Sequence, residues 1–200
     1  VAWGVSYGDR SGKLNQGMGV YEVLMLTLDL GALDVESEPT IEREGPSWAV
    51  VDGKRSSGYY TLTKMAELAI EKVKEHSISI VFGHNHNDGG SFSAYTQFAH
   101  DHDMFAMASN NTVPLAAPFG GMENLLSSPP FDAMFPSGDE VPLTTSVKFC
   151  EFYDGDVSEA VLQDKRMAGK WLIDPESGEL TDDPRDYYQP ISDEYGRVCG

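Results

Sequence analysis

Cysteine is scarce in this chain: Cys150 and Cys199 are the only two in 200 residues, far apart and in unlike contexts. That excludes a disulfide framework and a Cys-x-x-Cys metal site, and it fits a reducing cytoplasm. Basic residues are scarce too, 14 Lys and Arg against 32 Asp and Glu, for a net charge of −18. Without a basic stripe to neutralise phosphates, a nucleic-acid partner and an anionic membrane surface are both disfavoured. No apolar run approaches the ~20 residues that span a bilayer, and the start lacks the basic end and apolar centre of a signal peptide. The chain opens on Val rather than Met and its last residues carry no evident end signal, so a piece of a longer protein is expected.

What is present reads as an α/β, or α+β, layered domain in which helices and strands alternate. The stretch 1–19 is Gly-rich and polar. Val20, Val23, Leu24, Leu26, Leu28 and Leu30 then give a strongly apolar helix stopped by Gly31, which must be buried against something. An acidic link from Asp34 to Pro46 separates it from a strand at 48–51 that turns at Asp52-Gly53. This places a boundary near Pro39, with a helical segment at 1–38 and a sheet domain at 39–200. Apolar positions from Leu62 to Val73 recur at helical spacing with charges opposite, the pattern of a helix covering a sheet. The β-branched run from Ser77 to Phe82 reads as a buried strand ended by Gly83. A helix from Phe92, a strand at 104–108, a helix at 157–168 and a turn after Trp171-Leu172-Ile173-Asp174 follow. Phe119, Phe131 and Phe135, set among prolines, are expected to pack a loop onto its sheet.

Four of the five histidines lie between Val81 and Gly121. Among Asn, Asp and Gly, such a cluster suits proton transfer or metal ligation better than packing. Two chemistries compete for it. His84, His86 and Asp88 form a His-x-His-x-Asp run that can aim two imidazoles and a carboxylate at one metal, serving a metal-dependent hydrolase. It resembles a metallo-β-lactamase loop, although that loop continues with another His where Gly89 stands. His100 and His102 would not chelate together on a helix, where alternate residues point about 200° apart. The second chemistry is proton transfer beside a bound cofactor.

The order of motifs from Gly12 to Pro184 favours the second. It comprises the Asp-Gly turn in VVDGKRSSG, a helix, a strand into an Asn-His loop, and the Asn-Thr-x-Pro-Leu-x-Ala-Pro-x-Gly-Gly run at Asn111 to Gly121. Thr145-Ser146 and WLID with a later TDDP complete it. In this order the sequence resembles the type-2 malate/L-lactate dehydrogenase-like family of NAD(P)-dependent oxidoreductases. The resemblance implies a non-Rossmann fold with a largely antiparallel cofactor-binding sheet flanked by helices, a homodimer, and NAD or NADP as cofactor. The lack of a Gly-x-Gly-x-x-Gly run after any strand agrees with that. The implied reaction is hydride exchange between a nicotinamide and a small-molecule 2-hydroxy or 2-oxo acid, with a proton moving at the substrate oxygen. His86, preceded by Asn85, matches the family's acid/base histidine. Asn111 and Thr112 match the cofactor-side turn, and Thr145 with Ser146 match the hydroxyl pair contacting the nucleotide.

Departures from the pattern matter equally. Where the family carries Ser-His-Gly and then an Arg suited to a substrate carboxylate, this chain has Asn15-Gln16-Gly17 and Val20. Gln16 thus stands at a catalytic position without the ability to exchange a proton at neutral pH, and Val20 cannot pair with a carboxylate. Pro142 stands nearest to where an Asp is usual. A divergent enzyme relying on His86, with Arg10 or Lys13 replacing the lost clamp, is the leading expectation. A catalytically silent nucleotide-binding homologue is the alternative beside the hydrolase.

Overall fold

The computed structural model describes residues 2–13, 16–111, 114–127, 129–138 and 140–188, with the side chains of 22, 23, 154 and 188 outside the description. Thr112 and Cys199 therefore lie outside the described residues. The chain divides into two compact units, one of residues 1–109 with 131–146, the other of 110–130 with 147–200.

The first unit begins with helix α1 (Ala2–Arg10), in the Gly-rich, polar start of the segment expected to be helical. Its glycines are contact points. A Cβ on Gly4 would stand 2.6 Å from the Tyr59 ring, and Gly8 backs onto the Gln16 main chain. Helix α2 (Val20–Asp29) ends before Gly31, which supplies a φ of +69°. Val20 and Leu24 are buried with Val5, Leu33 and Tyr59 in one apolar cluster. The helix is thus buried along one side, while Met25, Leu26 and Leu28 on the rest of it are exposed.

The acidic link expected after α2 contains a strand. β1 (Thr40–Gly45) turns at Pro46-Ser47 into antiparallel β2 (Trp48–Asp52). Charged on both faces and wholly exposed up to Glu44, β1 lacks the alternation that reveals a strand. β2 then pairs in parallel with β3 (Ile80–His84), from Trp48 opposite Ile80 to Asp52 opposite His84. Parallel neighbours need a crossover, and α3 (Gly58–His76) provides it. Its apolar stripe covers the face carrying Ala49 and Val51, which are 0% and 3% exposed. Trp48, Ile80 and Phe82 lie on the opposite, open face. The run from Ser77 is thus an edge strand with one face exposed, not a buried one, because a short apolar run has the same pattern in either setting.

That strand also starts three residues later than expected. Ser77 terminates α3 in the left-handed region at φ 66°, its N–H donating to Val73 O at 2.8 Å. A side chain is strained there, so Ser77→Gly is expected to raise stability by about 1 kcal/mol in urea unfolding.

Helix α4 (Phe92–His100) packs beside β4 (Ala106–Ser109), the first strand of a second sheet ordered β4, β5 (Pro130–Phe135), β6 (Leu143–Lys148). β4 and β5 are antiparallel. The central β5 buries Asp132, Ala133 and Met134, and Phe135 packs on Phe105 with centroids 4.4 Å apart.

The second unit holds α5 (Asp154–Leu162), the two-stranded β7 (Leu172–Ile173) and β8 (Leu180–Thr181), and a 3-10 turn at Pro184–Tyr188. Val157, Met167 and Leu172 form its core, and Phe152 stacks on Trp171. The Pro-rich run is pinned by a bridge between Ala116 and Leu126, while Phe119 is fully exposed and packs nothing, contrary to expectation. Antiparallel pairings predominate among the described strands, with β2 and β3 the parallel exception, so the fold is a mixed, non-Rossmann α/β architecture.

Candidate active site

Two loops leave the carboxyl ends of the parallel strands, 53–57 after β2 and 85–91 after β3, the end of a parallel pair at which ligands commonly bind. Their backbone is unusual. Lys54, Arg55 and Asn85 all have positive φ, at 52°, 62° and 55°. Non-glycine residues hold such conformations only where neighbours over-determine them.

Those neighbours are specific. Asp52 Oδ1 accepts from the Lys54 N–H and the Asn85 side-chain amide, each at 2.9 Å, while Lys54 Nζ lies 2.8 Å from Oδ2. These bonds, led by Lys54, hold the Asp52 carboxyl well below the usual carboxylate range. Main-chain bonds from Gly53 to His84 O and from Arg55 to Asn85 O lace the two loops together. The Asn87 side-chain nitrogen lies within 2.8 to 3.4 Å of three carbonyls, those of Arg55, Ala32 and Ser56.

His86 sits half-buried on this braced platform. A Cβ on Gly53 would come within 2.6 Å of the His86 Cβ, and one on Gly83 would face its Cδ2 at 3.7 Å. Glycine at both places makes room for the ring. Nδ1 lies 2.9 Å from Asn87 O. A carbonyl only accepts, so this bond assigns the neutral ring's proton to Nδ1 and leaves Nε2 with its lone pair and no partner among the described residues.

The neighbouring ligand candidates point elsewhere. His84 Nε2 lies 2.8 Å from Glu42 Oε2, and Asp88 Oδ1 accepts from the Gly90 N–H at 2.7 Å. Among the described residues no three His, Cys, Asp or Glu side chains converge as a metal set. Asn85 explains the divergence of the run, because its left-handed turn breaks the alternation that would have aligned His84 with His86.

Gln16 lies apart from His86, with no hydrogen bond between them among the described residues. Its main-chain oxygen accepts from the Tyr59 hydroxyl at 3.2 Å, and its Oε1 is buried without a donor among the described residues. The same Tyr59 ring abuts Gly90, so Tyr59 connects the Gln16 segment to the end of the His86 loop. Val20, at the expected Arg position, is 4% exposed and belongs to the core. Asn111 is exposed in the second unit, where it accepts from Ser127. Thr145 and Ser146 are exposed on β6, and Ser146 Oγ receives Lys13 Nζ at 2.9 Å. Sequence reasoning missed the surroundings of that contact, where Asp132 accepts from Ser93 and Thr96 beside Lys13. Nothing local announces a cluster assembled from four separate segments.

Comparison with known proteins supplies the wider frame. The sequence profile of the malate/L-lactate dehydrogenase family matches residues 1–196. L-sulfolactate dehydrogenase of Methanocaldococcus jannaschii is 29% identical over 176 residues, covering 88% of this chain and 51% of that protein. A malate dehydrogenase of Pyrococcus abyssi is 35% identical over 107 residues, 54% of this chain and 30% of that protein. Among solved structures, a sulfolactate dehydrogenase from Methanocaldococcus jannaschii superimposes with a TM-score of 0.77 at 28% identity, covering 90% of this chain and 52% of that one. The chain thus spans about half the length of the curated relatives it matches over most of its length. With the family's profile running over nearly the whole sequence and the fold shared, the chain belongs to the malate/L-lactate dehydrogenase family.

Proposed function

We propose that the protein is an NAD(P)-dependent oxidoreductase that interconverts a 2-hydroxy acid and its 2-oxo form, or a related carbonyl compound. The observation that carries this reading is the His86 ring, whose Nδ1 is held by Asn87 O and whose Nε2 has no hydrogen-bond partner among the described residues. A nicotinamide, when bound, supplies or takes the hydride. His86 Nε2 takes the proton from a substrate hydroxyl as it becomes a carbonyl, and returns it in reduction. Asn87 orients the ring through its own carbonyl while its side chain fixes the loop.

Two features fit a polar, anionic cofactor or substrate. Gln16 Oε1 is a buried acceptor that lacks a donor among the described residues, and the Lys13 ammonium is ringed by hydroxyls. Asn111, Thr112, Thr145 and Ser146 stay as proposed nucleotide contacts. A cytoplasmic homodimer acting on a small molecule completes the reading.

The test is titration of the purified protein with NADH and NADPH, followed by fluorescence, with zinc analysis of the same sample. Saturable binding of a nucleotide without stoichiometric zinc is the expected result. No nucleotide binding together with about one zinc per chain would overturn it and move His84, His86 and Asp88 to a metal centre. A silent homologue is favoured by one observation, the Gln16 amide at an acid/base position, and tight nucleotide binding without turnover of any 2-oxo acid would identify it.

A further inference from the structure

We infer that Lys13, with Ser91 and Ser146, forms a subsite for a small oxyanion, a carboxylate, sulfonate or phosphate head group. The inference rests on the oxidoreductase reading only for the source of that anion. Lys13 follows α1 and Gly12, whose φ is +72°. Its ammonium reaches Ser146 Oγ at 2.9 Å on β6, Ser91 Oγ at 3.3 Å before α4, and Ser93 Oγ at 3.5 Å in the first turn of α4. Two segments distant in sequence, the start of α4 and strand β6, are brought onto one cation.

The composition of that shell is unexpected. The chain has 32 acidic residues against 14 basic ones, yet among the described residues no carboxylate makes an ion pair with Lys13. The carboxylate whose charge acts on Lys13 is that of Asp132, and both its oxygens accept hydrogen bonds, from the Ser93 and Thr96 hydroxyls. Asp132 favours the charge on Lys13, but burial is the larger influence and lowers the ammonium pKa. A desolvated charge of this kind requires a partner. Neutral hydroxyls that only accept from it are a weak one.

The hydroxyls also have protons to give. Because Lys13 donates to Ser91 and Ser146, each serine oxygen acts as an acceptor and its own O–H is directed to another group. Ser93 spends its proton on Asp132. The Ser91 side chain makes no capping bond to α4, so the positive end of that helix adds to the same field. Ser91 is buried and Ser146 exposed, so the cluster has a protected side and an open one. An incoming oxyanion would accept from Lys13 and from Ser146 through its open side. This arrangement supplies the charge that Val20, buried in the core, cannot.

The experiment is calorimetric titration of the wild type, Lys13→Met, Lys13→Arg and Ser146→Ala with oxalate, inorganic phosphate and NADH in turn. Saturable binding of oxalate or phosphate to the wild type is expected. It should weaken about tenfold or more in Lys13→Met and stay within a few-fold in Lys13→Arg, since a charge-assisted bond is lost in one and kept in the other. Ser146→Ala, an exposed strand position, gives a smaller loss in the same direction. Loss of oxalate binding with NADH binding intact assigns the subsite to the substrate's acid group. Joint loss of phosphate and NADH binding assigns it to the cofactor. If the wild type binds neither small anion, or Lys13→Met binds all three probes like the wild type, the subsite is refuted. Lys13-dependent anion binding in a protein indifferent to NADH would instead retain the subsite and remove the dehydrogenase reading.

Discussion

His86→Asn is expected to lower kcat about 10²- to 10⁴-fold while leaving the dissociation constant for the nicotinamide nucleotide within a few-fold of the wild type. Asparagine retains a donor that can reach the Asn87 carbonyl, so the loop that His86 now occupies keeps its closing bond. What disappears is the lone pair at Nε2, the atom without a hydrogen-bond partner among the described residues. The split between turnover and nucleotide affinity is the informative part. A purely structural histidine would leave both nearly unchanged, because asparagine keeps the closing bond. Steady-state kinetics with a panel of 2-oxo acids, run beside a nucleotide titration, separates the cases. Turnover equal to the wild type would remove His86 from the reaction.

Tyr59→Ala is expected to lower the unfolding free energy by about 3–5 kcal/mol, read from urea denaturation. Tyr59 is 1% exposed and stands where α1, α2 and the His86 loop meet. Its ring occupies the space left by the absent side chains of Gly4 and Gly90, and its hydroxyl holds the Gln16 carbonyl. Truncation therefore leaves a cavity that glycine backbones cannot refill with side chains. It also strands a buried acceptor. Burial, the largest influence, raises the phenol above its ordinary pKa, so its O–H remains a donor at neutral and mildly alkaline pH. A loss under about 1 kcal/mol would mean that the three segments hold together without the ring.

Both residues bear on how much the amino-acid order revealed. Helices α2, α3 and α4 and strand β2 were legible because each carries an apolar stripe or run of the right period. α1 was not delimited, since Gly4 and Gly8 leave its start without an apolar period and their role is seen only in the neighbours they admit. β1 was hidden because both its faces are exposed and charged, and β5 because Pro130 and Asp132 interrupt its pattern. At the site, the histidine cluster stood out at once, as did Asn85 before His86, whereas the bracing by Asn87 is visible only in the structure. The lysine cluster did not stand out. Its bonds join residues 78 and 133 positions apart, and separations of that size leave no local periodicity to read.

The Asn87 amide, spanning the carbonyls of Ala32, Arg55 and Ser56, has a mechanical meaning. It ties together three strips of chain: the connection from α2 to β1, the strained turn after β2, and the loop that presents His86. The main chain repeats the tie, from the Asp34 N–H to Arg55 O, from the Arg55 N–H to Asn85 O and from the Asn87 N–H to Ser56 O. Strips cross-linked in this way are expected to open as one latch rather than fray one by one, which equal amide-exchange protection in all three would show.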